Sequence, residues 1–74
     1  MGARLRELRR DAGLTARALA AAAGWDNHTR VSKIEHGTQA PSDDDIRAWC
    51  AACGADGQVP DLIATARAVE SAYL

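Results

Sequence analysis

With 74 residues the chain has room for one small domain, and a domain of this size buries only about 60% of the surface its unfolded chain exposes. Its apolar residues make up 47% of the chain and are largely alanine, with no phenylalanine and only Trp25, Trp49 and Tyr73 as aromatics; this suits closely packed helices, and no run nears the roughly 20 apolar residues of a membrane span. A net charge of −1 counts against strong nonspecific binding to nucleic acid, two cysteines are too few for a disulfide framework, and the start "MGARLRELRR" lacks the apolar core of a signal peptide, so the expectation is a soluble, cytoplasmic chain.

The first helix is predicted over residues 3–12, where Leu5, Leu8 and Ala12 recur at helical spacing before Gly13 stops the pattern. Thr15 is a good N-cap for a second helix, with Leu19, Ala22 and Ala23 inward and Gly24 ending it near position 23. Ala20, four residues before Gly24, is small enough to let the second and third helices cross closely. In the third segment Val31 and Ile34 point inward, and His36-Gly37 ends it. After "TQAP", Ser42 caps a fourth helix with Asp43, Asp44 and Asp45 in its first turn, where negative charge favours the positive end of the helix dipole. The inner face of that helix is Ile46, Trp49, Cys50 and Cys53, and Gly54 closes it. A fifth helix begins near Val59, with Pro60 in its first turn and Leu62, Ala66, Val69 and Tyr73 on one stripe. No segment alternates as a strand does, so the expected fold class is all-α with five short helices.

Charge is divided unevenly along these elements. Residues 1–33 carry seven basic and three acidic side chains, a net of +4, while residues 34–74 carry two basic and seven acidic ones, a net of −5. A molecule polarised in this way can present one face to a polyanion. Two short amphipathic helices joined by a glycine turn in the basic half suggest a helix-turn-helix. The line "LRELRRDAGLTARALAAAAGWDNHTRVSKIEHGTQAPSDDDIRAWCAACG" resembles the lambda-repressor-like, or Xre/Cro-type, helix-turn-helix family, most of all the N-terminal domains of transcriptional regulators common in high-GC bacteria. Five features carry the resemblance over residues 3 to about 56: "LRxLR", "GLT", "LAxxAG", "VSKIEHG" and "PSxxxIxxW". It implies a helix-turn-helix at about 15–35, with a recognition helix at about 28–35 entering the major groove of double-stranded DNA.

The residues themselves supply roles. With Val31 and Ile34 docked on the core, Asn27, His28, Thr29, Arg30 and Lys33 lie on or near the outward face and are the candidates for reading bases. Arg or Lys can reach guanine, Asn can pair with adenine, and Thr can touch the thymine methyl group. Grip on the DNA backbone is assigned to Thr15 and Arg17 at the start of the second helix, and to Ser32, His36, Thr38 and Gln39 on and after the third. Members of the family commonly carry a backbone-contacting glutamine just after the position of Thr15; here that position is Ala16, so one usual contact is missing. The resemblance also implies a partly buried salt bridge between Arg9 and Glu35, clamping the first helix to the end of the third. It further implies a homodimer on DNA, residence at the nucleoid, and a second domain for sensing or oligomerisation beyond "ARAVESAYL", which stops in mid-pattern. The rival is a protein-interaction module of the same fold, docking a partner protein through the fifth helix and the acidic half.

Other chemistries weigh less. "WCAACG" has the CxxC spacing of thiol oxidoreductases, but a redox CxxC needs its nucleophile at a helix N-terminus, and Cys50 and Cys53 fall in the last turns of the fourth helix. A zinc site would require His28 and His36 to converge on the same thiols. Both cysteines are better read as small core residues, Trp49 as packing, and Trp25 as an apolar cover over the core rather than a stacking platform for DNA. Consecutive aspartates point three ways around a helix, so 43–45 are not a metal cluster. No nucleophile and base pair up, so no enzyme, cofactor or metal is expected.

One irregularity stands out. In the family pattern the apolar residue at the place of Val31 comes six positions after the turn glycine; here it comes seven after Gly24. Counting back from "VSKIE" puts Asn27 at the N-cap, starts the helix at His28 and leaves Arg30 outward; counting forward from Gly24 would bury the Arg30 charge. The longer turn is the expectation.

Overall fold

A computed structural model describes the backbone of residues 1–72 and the side chains of residues 1–68. The chain folds into α1 (Gly2–Asp11), α2 (Ala16–Ala23), α3 (Thr29–Glu35), α4 (Asp43–Cys53) and α5 (Val59–Ala72), with a single 3₁₀ turn at Asp56–Gln58 leading into α5. Among the described residues there is no strand, and no helix is long and apolar enough to cross a membrane. The five α-helices agree with the all-α expectation.

The helix ends follow local chemistry. The Thr15 side chain accepts a hydrogen bond from the Ala18 amide at 3.0 Å, satisfying one of the orphan donors of α2. Ser42 forms a full capping box: its Oγ accepts from the Asp45 amide at 3.1 Å, and the Asp45 carboxylate accepts from the Ser42 amide at 3.0 Å. At the other end of α2, Gly24 takes φ +78°, a left-handed conformation in which a side chain would be strained.

The helix α4 is the hub, lying against α1, α2 and α5, while α3 packs on α1 and α2. Leu5, Leu19, Ala20, Val31, Ile34, Ile46, Trp49, Cys50 and Leu62 form the buried core. Trp49 is fully enclosed and its indole Nε1 donates to the Leu5 carbonyl oxygen at 2.9 Å, so the largest core side chain also pins α4 to α1. At Gly2, a Cβ would fall against the carbonyl oxygens of Glu35 and Ile34, so the start of α1 approaches the end of α3 backbone to backbone. Only glycine permits that approach.

Several sequence-based boundaries and faces are corrected. Helix α1 begins and ends one residue earlier than 3–12, leaving Ala12 as an exposed C-cap. In α2 it is Ala20 that is buried and Ala22 that is exposed; on a helix made almost wholly of alanine, the apolar pattern has too little amplitude to fix a face. Cys53 is only half-buried, and the turn at Asp56–Gln58 had no counterpart in the expected elements. In α5, Leu62 is buried and Ala66 partly so; the side chains of Val69 and Tyr73 lie outside those described.

Candidate nucleic-acid interface

The turn between α2 and α3 is where the extra residue falls. The Trp25 amide donates to the Ala20 carbonyl at 2.9 Å and closes α2, and the chain then runs through Asp26 and Asn27 before turning helical. The first residue of α3 is Thr29, one later than expected, with His28 in its cap position. The Asn27 Oδ1 accepts from the Thr29 amide at 2.9 Å and takes over the capping that His28 does not provide. Val31 and Ile34 are both buried, which fixes the rotation of α3 and turns its opposite side outward.

On that side Asn27, Thr29, Arg30, Lys33 and Gln39 line one open groove. His28 is exposed but is not among the residues lining it. Ser32, His36 and Thr38 are exposed, and the Thr38 hydroxyl donates to the Lys33 carbonyl at 3.1 Å, tying the following loop to the end of α3. Thr15 and Arg17 are exposed at the start of α2. The Thr15 oxygen is occupied as a cap, with its O–H left as a donor.

Arg30 departs from the picture of a free outward cation. Its side chain is 42% exposed, so it is not buried, but its Nη2 donates to Asp45 Oδ1 at 2.6 Å, and that carboxylate is only 6% exposed. The guanidinium carbon stands 4.9 Å from the centroid of the Trp25 ring, within cation–π range. Trp25 in turn meets Trp49 edge to face, with centroids 6.1 Å apart. Asp45 is thus more than a charge near the dipole of α4: one carboxylate oxygen completes the capping box and the other holds Arg30. Nothing local in the sequence signals this pair, since its members lie 15 residues apart on different helices.

At the far end of α3 the Arg9 guanidinium forks onto Glu35, with Nε 2.6 Å from Oε2 and Nη2 3.1 Å from Oε1. Its Nη1 donates to the Leu14 carbonyl at 2.9 Å. The two side chains are 15% and 7% exposed, so the bridge is largely withdrawn from water. The hydrogen bonds that Arg9 donates to Glu35 raise the Arg9 pKa above its ordinary value, against the opposing effect of burial. One side chain therefore joins α1, the loop after it and the end of α3, and holds the grooved face in place.

Both cysteines are free thiols. Burial pushes the Cys50 thiol up, with Asp56 adding to the effect; burial also pushes Cys53 up, reinforced by Cys50 and partly offset by Arg9. Such thiols are poor nucleophiles near neutral pH. Among the described residues no three His, Cys, Asp or Glu side chains come together to hold a metal ion.

A family model described as a helix-turn-helix domain matches residues 1–62, which takes in α1 to α4 and the start of α5. No curated protein and no solved structure matches the chain.

Proposed function

The chain belongs to the helix-turn-helix domain family, a DNA-binding class, and from that premise we propose that it binds double-stranded DNA sequence-specifically as the DNA-binding part of a transcriptional regulator. In this reading α3 enters the major groove, α2 braces it against the sugar-phosphate backbone, and residues 1–74 act as one domain. The observation that carries it is the open groove lined by Asn27, Thr29, Arg30, Lys33 and Gln39, which brings hydrogen-bonding side chains of the right chemistry to one face opposite the buried Val31 and Ile34. The Xre-type resemblance adds a homodimer bound to half-sites about 34 Å apart.

The test is selection of duplexes from a random DNA pool by the 74-residue chain at moderate salt. Enrichment of one recurrent motif is expected. A chain that retains random DNA as well as any enriched sequence, or retains none, would overturn the reading in favour of a partner-docking module.

A further inference from the structure

We propose that Arg30 is the guanine-reading side chain of the groove and that Asp45, on α4 and outside the helix-turn-helix itself, aims it there. The proposal rests on the DNA-binding reading above and adds to it a base, a residue and a second residue that positions the first.

Three features of Arg30 support it. First, its charge is already matched. The Asp45 carboxylate, 6% exposed, sits 2.6 Å from Nη2, so the pair as a whole is neutral. A phosphate clamp depends on an unmatched cation that displaces counterions; a hydrogen bond to a neutral base edge does not. Second, the guanidinium is held on several sides: by Asp45 at one nitrogen, by the Trp25 ring against the group, and by a protein wall around Nε. Asp45 is itself fixed, because its other oxygen accepts from the Ser42 amide at 3.0 Å. An arginine restrained in this way loses little rotamer freedom on binding, which favours discrimination at a fixed position. Third, the donors are distributed unevenly. The Nε is buried without a hydrogen-bond partner, and Nη2 serves Asp45. Nη1 has no partner among the described residues, and Arg30 lines the groove with Asn27, Thr29, Lys33 and Gln39. Nη2 keeps a second N–H beside the one given to Asp45, so together with Nη1 it can still meet the O6 and N7 acceptors that guanine presents in the major groove.

The buried, partnerless Nε is a second sign that this placement is imposed. A donor walled off from water is unfavourable unless something else holds it there, and here the ion pair and the ring do so.

The experiment compares the unaltered chain with Arg30→Ala, Asp45→Asn and Arg17→Ala, using first a random duplex pool and then the duplex selected from it. The unaltered chain is expected to select a motif with an invariant guanine, and replacing that guanine by 7-deazaguanine should weaken its binding on the order of tenfold. Arg30→Ala should lose preference at that position alone, with the slope of log K against log salt unchanged. Asp45→Asn should bind random DNA more tightly, with a slope steeper by about 0.9, while its preference for the guanine falls. Arg17→Ala should lessen the slope by about the same amount and leave the motif intact. An Arg30→Ala motif identical to the original, or tight binding of the 7-deazaguanine duplex, overturns the proposal and leaves the DNA-binding reading standing. A lessened slope in Arg30→Ala makes the residue a phosphate contact and also overturns it. Should the unaltered chain select no motif, both fall together. The 7-deazaguanine arm uses the unaltered protein, so it can overturn the proposal even if a variant fails to fold.

Discussion

Arg9 and Glu35 show how much a single pair can carry in a domain this small. With both side chains largely withdrawn from water, deletion of one strands the other, and a stranded buried charge costs about 3–5 kcal/mol. Arg9→Met or Glu35→Leu alone should therefore lower the melting midpoint by roughly 15 °C or more in a scanning-fluorescence melt. The double variant should regain a large part of that loss, because an apolar pair leaves no charge uncompensated. Strictly additive losses would show that the fork contributes nothing as a pair. At the cysteines the sign differs from that of an acid in a salt bridge. Both thiols have folded-state pKa values above the ordinary 9.0, so the unfolded chain ionises first as pH rises. The stability they contribute is fully present below that ordinary value and is lost as pH climbs toward the folded values. The melting midpoint should fall with pH above about 9, and Cys50→Ala with Cys53→Ala should flatten that fall.

At the scale of elements, α3 depends on two neighbours that are not part of it. The cap from Asn27 closes its first turn, and the glycine contact at Gly2 fixes where its last turn meets α1. Asn27→Ala should cost about 1 kcal/mol by urea denaturation, whereas Asn27→Asp should retain most of that stability, since either side chain can accept from the Thr29 amide. Gly2→Ala should cost roughly 1–3 kcal/mol, because its methyl group meets two backbone carbonyls that cannot move aside. Gly24→Ala meets nothing, and only the left-handed backbone penalises it, at about 1 kcal/mol. These elements were largely legible in the sequence because their ends are marked by residues with one dominant local role: Thr15 and Ser42 as caps, Gly24 and Gly54 as left-handed stops. Faces were less so. Ala12 and Ala22 were misplaced because alanine satisfies a helical pattern whether or not it is buried, and the turn at Asp56–Gln58 is too short to show a period.

Across the whole molecule, fewer cations are free than the composition suggests. Arg6, Arg9, Arg30, Arg47 and Arg67 each lie within 4.0 Å of a carboxylate, and Arg4 donates to Gln58 at 2.8 Å. Gln58 is neutral, so among the described residues Arg4, Arg10, Arg17 and Lys33 are without an ion-pair partner. If all four meet phosphates, the salt slope should be no steeper than roughly −4 per chain, which titrations of a duplex at several salt concentrations would read directly. A slope near −6 would mean that DNA binding breaks ion pairs now formed. The candidate groove was partly visible beforehand: inward Val31 and Ile34 dictate which side of α3 faces out, and Asn27, Thr29 and Lys33 follow from that rotation. The pairing of Arg30 with Asp45 was not visible, because it depends on how α1 and α2, against which both helices pack, place α3 and α4, and neither residue has a neighbour in sequence that announces the other.

That pairing bears on how such a protein can be re-engineered. The seven residues of α3 are not a self-contained cassette: transplanted into another scaffold, they would bring Arg30 without the carboxylate of α4 or the ring of the preceding turn. The grafted arginine would arrive as a mobile, fully charged side chain, adhesive to any DNA and indifferent to sequence. If Arg30 reads a base as proposed, a working graft must carry Trp25 and Asp45 with it, so that the smallest portable unit runs from the turn after α2 into the first turn of α4.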